Sequence, residues 1–196
     1  MSQKQPKILL ITPFVLYARQ PPIGTAYLCS YLRSRGYQVR VWDLNTEILI
    51  PNDGDDCFWS QKQNCRNFFL KNKALFESLV KKIMDYQPQI VGFTVWSTTE
   101  FFSLELAKMI KENDRNILII LGGYWCNINE EELISNPFVD IVVRGEGENA
   151  LLDIIRQYVA KGKIGFGQGM LIKNNGSIIN CGGRQDCHDQ RQLCGV

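Results

Sequence analysis

Histidine is nearly absent from this chain of 196 residues, which contains His188 and no other. Mechanisms that need two histidines are therefore excluded. No pair of cysteines has the Cys-x-x-Cys spacing, which argues against a structural zinc ribbon. The odd number and wide scatter of the cysteines also argue against a disulfide framework, so we expect reduced thiols. The seven are Cys29, Cys57, Cys65, Cys126, Cys181, Cys187 and Cys194.

Charge of one sign and long apolar runs are also scarce. The 22 basic and 20 acidic residues nearly balance, and no run of Lys or Arg stands out, so we expect no nucleic-acid partner. No apolar stretch reaches the ~18 residues of a membrane helix, and the polar start of the chain does not resemble a signal peptide. We expect a soluble cytoplasmic protein without a membrane partner. A hydrophobic fraction of 45% is enough for one domain with a real core.

Several common motifs are missing. No Gly-x-Gly-x-x-Gly follows the first apolar run, which disfavours a dinucleotide site, and no phosphate-binding Gly-x-x-x-x-Gly-Lys-[Ser/Thr] occurs. The third predicted strand leads into Thr94-Val95-Trp96, where a phospho-receiver domain needs Asp. A Ser–His–Asp arrangement is not recognisable, because His188 lies in the tail.

Short apolar runs and amphipathic stretches alternate five times along the chain. This alternation predicts an α/β fold, namely a doubly wound, flavodoxin-like, five-stranded parallel sheet with strand order 2-1-3-4-5. The predicted strands are 7–11, 38–43, 90–95, 117–121 and 139–143. The predicted helices are 22–35, 74–86, 99–112, 129–135 and 150–160. Residues 168–172 and 177–181 predict a small C-terminal β-hairpin.

The domain organisation follows from this pattern. We expect a main domain over residues 1–163, a hairpin extension over 164–181 and a disordered tail over 182–196. Residues 44–73 form an unusually long connection for a compact domain, so they are either a functional loop or contain a short helix.

The loops after the predicted strands carry the candidate site, because ligands of open parallel sheets bind at the carboxyl ends of the strands. Glycines, hydroxyls and large aromatics are combined there, which favours a large flat ligand with polar edges. Structural explanations remain open for each group. Gly122-Gly123 can simply turn the chain, and Ser97–Thr99 can cap a helix. Glu146 and Glu148 can favour a helix N-terminus, and Arg144 can pair with either.

Four segments, in their order and spacing, resemble one family. It is the cobalamin-binding domain that precedes the barrel of cobalamin-dependent radical S-adenosylmethionine enzymes. The resemblance covers about residues 6–180, and Arg-Gly-Glu-Gly-Glu before an amphipathic helix is its most telling part. The segments are 21–43, 90–94, 121–123 and 139–148.

The resemblance implies that this Rossmann-like domain binds cobalamin, with the corrin ring across the carboxyl edge of the sheet. The nucleotide tail would enter a slot between the third and fourth strands, which Ser97–Thr99 would line. Replacing Gly123 with Leu should then weaken corrinoid retention more than stability. The cofactor-binding residues implied by position are Thr12, Pro13, Phe14, Pro22, Gly24, Thr94, Trp96, Ser97, Thr98, Thr99, Gly122, Gly123, Tyr124, Gly145, Glu146 and Gly147.

Two departures from related families shape this expectation. The loop after the first strand lacks the Asp-x-His-x-x-Gly of other cobalamin carriers, so cobalt would have no imidazole ligand. The cysteines 181, 187 and 194 also lack the Cys-x-x-x-Cys-x-x-Cys spacing of a radical enzyme's cluster. S-Adenosylmethionine and an iron–sulfur cluster would therefore belong to a missing or separate barrel, in cis or in trans. We assign no catalytic residue and no metal ligand to this chain, and leave open whether it is itself an enzyme.

Two other functions remain open. The chain can be a degenerate domain that binds a partner protein without a cofactor. It can also be a small enzyme acting on a nucleotide-like substrate, although no acid–base pair is identifiable for it.

Overall fold

The computed structural model describes residues 5–14, 22–47, 59, 61–162, 167–174 and 176–182. These residues contain a seven-stranded sheet with the order β2-β1-β3-β4-β5-β6-β7. The strands are β1 Ile8–Thr12, β2 Val39–Asp43, β3 Ile90–Thr94, β4 Leu118–Gly122, β5 Ile141–Val143, β6 Met170–Asn174 and β7 Ser177–Asn180. The helices are α1 Ile23–Arg33, α2 Lys62–Lys71, α3 Lys73–Tyr86, α4 Glu100–Asn113, α5 Glu130–Ser135 and α6 Gly147–Lys161.

The first five strands are parallel and have the predicted order 2-1-3-4-5. All five residues of β1 are buried, as expected for a strand with helices on both faces. Leu10 pairs with Gly92, and Gly92 pairs with Ile120, so these three residues form one row across the centre of the sheet. The doubly wound α/β fold predicted from the sequence is confirmed.

The C-terminal hairpin differs from the prediction in how it joins the fold. β6 pairs antiparallel with β5, and β7 pairs antiparallel with β6, so the hairpin continues the sheet. The reason is the apolar run Met170-Leu171-Ile172, whose residues are all buried. Pairing with β5 buries this run and satisfies a strand edge that would otherwise be exposed.

The helices form a layer on each face of the sheet. Side chains of α1 and α6 pack with Ile8, Leu10 and Ile120, and we call this side the α1/α6 face. Side chains of α2, α3, α4 and α5 pack with Leu9, Phe93 and Leu121 on the other side, which we call the α2–α5 face. Successive strand residues point to opposite faces, so Gly92 and Phe93 serve different layers.

Some element boundaries differ from the prediction. Helix α6 begins at Gly147, directly after the extended residue Glu146 and three residues before the predicted start. The predicted long connection 44–73 contains helix α2, one of the two alternatives offered by the sequence. Most of the remaining connection, residues 48–58, and the tail 183–196 lie outside the described residues. In the described part of the chain, no helix has the length and apolarity needed to span a membrane.

Candidate functional site

A cleft opens at the carboxyl edge of the sheet, between helices α1 and α6. It has a volume of about 190 Å³ and is open to solvent. Its lining comes from β1, β3, β4 and β5 below and from the two helices at the sides. The lining residues are Leu10, Ile11, Gly24, Thr25, Leu28, Gly92, Phe93, Thr94, Ile120, Gly122, Gly123, Val143, Gly145, Glu146, Gly147, Glu148 and Leu151.

Two glycines lie on the α1/α6 face in the floor of the cleft. Gly92 lies in the row between Leu10 and Ile120, and a Cβ there would come within 3.0 Å of the Leu10 side chain. In the next row, Gly122 pairs with Thr94. A Cβ on Gly122 would meet no atom within 4 Å. Gly122 therefore faces open space, and any larger side chain there would enter the cleft.

The side walls approach each other closely because of another glycine. A Cβ on Gly147, at the start of α6, would lie 3.3 Å from the Leu28 side chain of α1. On the same side, the backbone N–H of Gly145 donates to the Asn127 side chain at 2.8 Å. This bond fixes the loop between β5 and α6 against the loop that follows β4.

Gly123 has a different role from its neighbour. Its φ is +104°, and an added Cβ would lie 3.0 Å from Thr94 Oγ1 and from the backbone of Val95. A side chain at Gly123 would therefore strain the chain whatever occupies the cleft. The expectation that Gly123→Leu mainly affects ligand retention is wrong on this geometry, and Gly122 is the position that tests it.

The cleft contains few charges. Among the described residues of its lining, Glu146 and Glu148 are charged and none is basic. Glu146 is exposed, whereas Glu148 is only 7% exposed and its Oε2 has no hydrogen-bond partner. Burial raises the pKa of the Glu148 carboxyl; its backbone hydrogen bond lowers the pKa in part, and the charge of Glu146 raises it further.

Arg144 does not join these acids, although the sequence allowed it to pair with Glu146 or Glu148. Its guanidinium bonds to Glu130 at 3.2 Å and to the Asn180 side chain at 2.8 Å, and also to the carbonyl of Gly182. Arg144 is buried and ties the end of β5 to α5 and to the end of β7. It is therefore a structural residue of the sheet edge.

Seven of the sixteen residues selected from the sequence line the cleft. They are Gly24, Thr94, Gly122, Gly123, Gly145, Glu146 and Gly147. The other nine lie beside or behind it. They are Thr12, Pro13, Phe14, Pro22, Trp96, Ser97, Thr98, Thr99 and Tyr124.

Burial explains why three of those nine do not face the cleft. Thr12 lies behind a lining residue, since its Oγ1 is 3.2 Å from that of Thr25. Phe14 packs against Phe76 and Phe102 in the α2–α5 face.

Thr99 accepts a hydrogen bond from the backbone N–H of Trp96 at 2.9 Å and so closes the turn before α4. Helix α4, which follows, packs on the α2–α5 face, and Ser97–Thr99 are not among the residues that line the cleft.

Trp96 and Tyr124 form an exposed aromatic pair at the carboxyl edge. Their ring centroids are 5.9 Å apart and their planes differ by 25°. Trp96 is 50% exposed and Tyr124 61% exposed. They follow β3 and β4, the two strands that carry the floor glycines, and contact with a ligand above the edge stays a prediction.

Sequence reasoning missed the apolar walls and two informative residues. Gly92 interrupts an otherwise bulky buried strand, and an isolated glycine in a strand indicates close approach of another group. The sequence explains Glu148 by the helix dipole or by pairing with Arg144. The apolar lining residues that were missed, such as Leu28, Ile120 and Leu151, are indistinguishable in sequence from ordinary core residues.

Comparison with known proteins gives the class of domain that the sequence resembles. Residues 14–155 match the family model described as "B12 binding domain". This match covers well over half of the chain. The chain therefore belongs to the B12-binding domain family.

The chain is also similar to individual proteins. The chain is 27% identical over 183 residues to an uncharacterized methyltransferase of Pyrococcus horikoshii, covering 89% of this chain and 34% of the relative. Two solved structures share the fold. The cobalamin-dependent S-adenosylmethionine radical enzyme OxsB has a TM-score of 0.69 at 18% identity, over 93% of this chain and 23% of that one. The radical S-adenosylmethionine methyltransferase TsrM from Kitasatospora setae has a TM-score of 0.66 at 16% identity, over 91% and 30%. This chain spans about a third or less of each relative's length.

Proposed function

We propose that this chain binds cobalamin with its nucleotide tail in the cleft and its corrin ring across the carboxyl edge of the sheet. The observation that carries the proposal is the open floor at Gly122 between α1 and α6, in a chain of the B12-binding family. The cleft volume of about 190 Å³ is below the about 300–1,000 Å³ of sites that hold a whole small ligand, so the cleft would hold the tail and not the corrin ring.

The residues present suit such a tail. Leu10, Ile120 and Leu151 supply apolar surface for a flat base, while Thr25 and Thr94 supply hydroxyls for its polar edges. The tail, in this proposal, occupies the face covered by α1 and α6, away from Ser97–Thr99. The binding proposal includes no imidazole ligand for cobalt, because the loop after β1 lacks the Asp-x-His-x-x-Gly motif of other cobalamin carriers.

The wider system is also part of the proposal. The relatives include a methyltransferase and radical S-adenosylmethionine enzymes, which supports a role as the cofactor-binding part of a radical S-adenosylmethionine methyltransferase-like system. S-Adenosylmethionine and the iron–sulfur cluster would then be held by a radical barrel, in cis or in trans. This chain would supply the position and the surroundings of the corrinoid.

The test is corrinoid retention by wild type and by Gly122→Leu. We expect wild type to keep hydroxocobalamin through gel filtration, with a spectrum that lacks an imidazole-ligated cobalt signature. Gly122→Leu should reduce retention at least about tenfold, because its side chain occupies the cleft. Its melting temperature should stay close to that of wild type, because open space surrounds the new Cβ.

Gly122→Ala is the matched control, since its methyl group takes little of the cleft. Retention by the two variants should therefore fall in the order wild type, Ala, Leu. Absence of corrinoid from the wild-type peak, or equal retention by wild type and Gly122→Leu, would contradict the proposal.

A protein-interaction module without a cofactor is the second candidate. Exposed Trp96, Tyr124 and Ile128 near the carboxyl edge favour it, because exposed apolar patches often mark interfaces. Isothermal titration with hydroxocobalamin separates the two functions. Measurable binding supports the cofactor role, whereas no heat together with self-association in analytical ultracentrifugation supports the interaction module.

A further inference from the structure

The two buried carboxyl groups of the described residues differ in their hydrogen bonding. Glu100, on the α2–α5 face, is 4% exposed and accepts from Trp125 Nε1 at 2.5 Å and from Lys62 Nζ at 3.3 Å. Glu148, in the cleft, is 7% exposed and its Oε2 has no partner. A buried polar atom without a partner costs free energy, so this arrangement favours a partner beyond the described residues, such as a bound ligand.

A ligand in the cleft is placed to supply that group. Glu148 lies in the first turn of α6 and lines the cleft beside Leu151 and Val143. The terminal torsion of a glutamate side chain is broad, so rotation exchanges the positions of its two oxygens. A ligand that enters the cleft can therefore meet the oxygen that lacks a partner.

The proposed ligand would bring an unpartnered atom of its own. A cobalamin tail inserted in the cleft cannot also coordinate cobalt, so the ring nitrogen of its benzimidazole base loses its partner. That nitrogen and the Glu148 carboxyl would then lie in the same apolar cleft. Each would be costly to bury alone, and one proton between them would satisfy both.

We propose that Glu148 shares a proton with the ring nitrogen of the corrinoid's base, so that it selects corrinoids with a nitrogen-base tail. This inference rests on the proposed function. It goes further by assigning the recognition of the tail to one carboxyl group, which the sequence explains by the helix dipole or by pairing with Arg144.

The pair requires a proton, so binding depends on pH. Glu146 is the other charged residue of the lining. The lining residues of α1, namely Gly24, Thr25 and Leu28, are uncharged, as are those of the strands. As pH rises, ionised Glu148 faces an unprotonated ring nitrogen, two acceptors without a donor, and binding weakens. An amide at this position donates a hydrogen bond at every pH, so Glu148→Gln removes the dependence.

The experiment compares methylcobalamin with methylcobinamide, which lacks the tail, by isothermal titration in the dark between pH 5.5 and 9. Methyl ligands are used because they leave no titrating water on cobalt. The variants are Glu148→Gln and Glu148→Leu. Glu131→Gln and Glu131→Leu are matched controls on α5, where Glu131 is exposed and distant from the lining.

We expect wild type to bind methylcobalamin more weakly as pH rises and Glu148→Gln to bind it with little pH dependence. Glu148→Leu should lose about tenfold at pH 6, the effect of one buried hydrogen bond. Methylcobinamide affinity should be the same for all variants. Thermal melts of each variant confirm folding.

Three results would overturn the inference. The first is an equal loss of methylcobinamide and methylcobalamin affinity in Glu148→Leu, which would mean a structural role. The second is a pH dependence of binding that persists in Glu148→Gln. Unchanged methylcobalamin binding in both variants would also refute it. Failure of wild type to bind either corrinoid would instead overturn the proposed function, and the inference with it.

Discussion

The two faces of the sheet differ in how their side chains pack. Within β3, Phe93 packs into the α2–α5 face, whereas its neighbour Gly92, in the floor of the cleft, lets the Leu10 side chain come close to the backbone. A glycine inside a strand weakens it and packs nothing. One face of the sheet is filled with aromatic rings, whereas glycines lie near the centre of the other. Packing for stability alone does not explain those glycines.

The α2–α5 face is filled by contacts between rings. Phe102 is 1% exposed, and its ring centroid lies 5.7 Å from that of Phe14 and 5.8 Å from that of Phe76. Trp59 and Phe68 extend the cluster, with centroids 6.2 and 6.1 Å from that of Phe102. Large aromatic side chains bury much apolar surface and favour these edge-to-face and offset arrangements. This cluster holds the helices of that face against the sheet.

The largest effect on stability is expected from Phe102→Ala. Removal of this ring leaves a cavity at the centre of the cluster, and we expect a loss of about 3–5 kcal/mol in the free energy of unfolding. Urea denaturation followed by far-UV circular dichroism measures it. Phe101→Ala is the control, because Phe101 is half-buried and should cost less.

Corrinoid binding by Phe102→Ala tests whether the two faces of the sheet are independent. Molecules of Phe102→Ala that remain folded should keep the wild-type affinity, since the cleft lies on the other face. A loss of affinity in the folded fraction would mean that the two faces are coupled.

An intermediate effect is expected at the glycine pair that ends β4. Gly123→Ala should cost about 1–3 kcal/mol, because φ is +104° and the new Cβ meets the Val95 backbone. Gly122→Ala should range from neutral to a gain of about 0.4–1 kcal/mol, because its methyl group enters open space and restricts the unfolded chain. Urea denaturation of the two variants in parallel measures the difference. Equal losses would show that Gly122 is also held by the fold.

The fold was accessible from the sequence because its signal is local and repeated. Apolar runs such as Ile8–Ile11 and Ile90–Val95 are long enough to identify strands buried on both faces. The parallel order then followed from the alternation with helices. The attachment of the hairpin to β5 was missed, since it depends on which edge of the finished sheet buries Met170–Ile172.

The candidate site could be predicted only in part from the sequence. Glycines at strand ends identified the carboxyl edge, but which face holds the cleft depends on where each following helix packs. Ser97–Thr99 were assigned to the slot by their position in the sequence, and they are not among the residues that line the cleft. Glu148 could be recognised only in three dimensions, because whether a buried carboxyl has a partner is a property of the packed structure.

The smallest effect concerns the stability cost of Glu148 without ligand. Its pKa in the folded state is raised above the ordinary value of 4.5, so the folded chain binds more protons than the unfolded chain. Stability from this group is therefore lost as pH rises from about 4.5 through the higher folded pKa. Glu148→Gln avoids that loss and should be the more stable protein at pH 8, by at most about 1 kcal/mol or 2–4 °C in Tm.

At pH 4 the advantage of Glu148→Gln should disappear, because the carboxyl is protonated in both states. Thermal melts at the two pH values, without corrinoid, measure the difference, and Glu131→Gln should show no comparable change. A stabilisation that is equal at both pH values would mean that the amide gains a hydrogen bond of its own. The cost of Glu148 at neutral pH would then not come from its ionisation, and the contrast with the fully partnered Glu100 would lose its electrostatic basis.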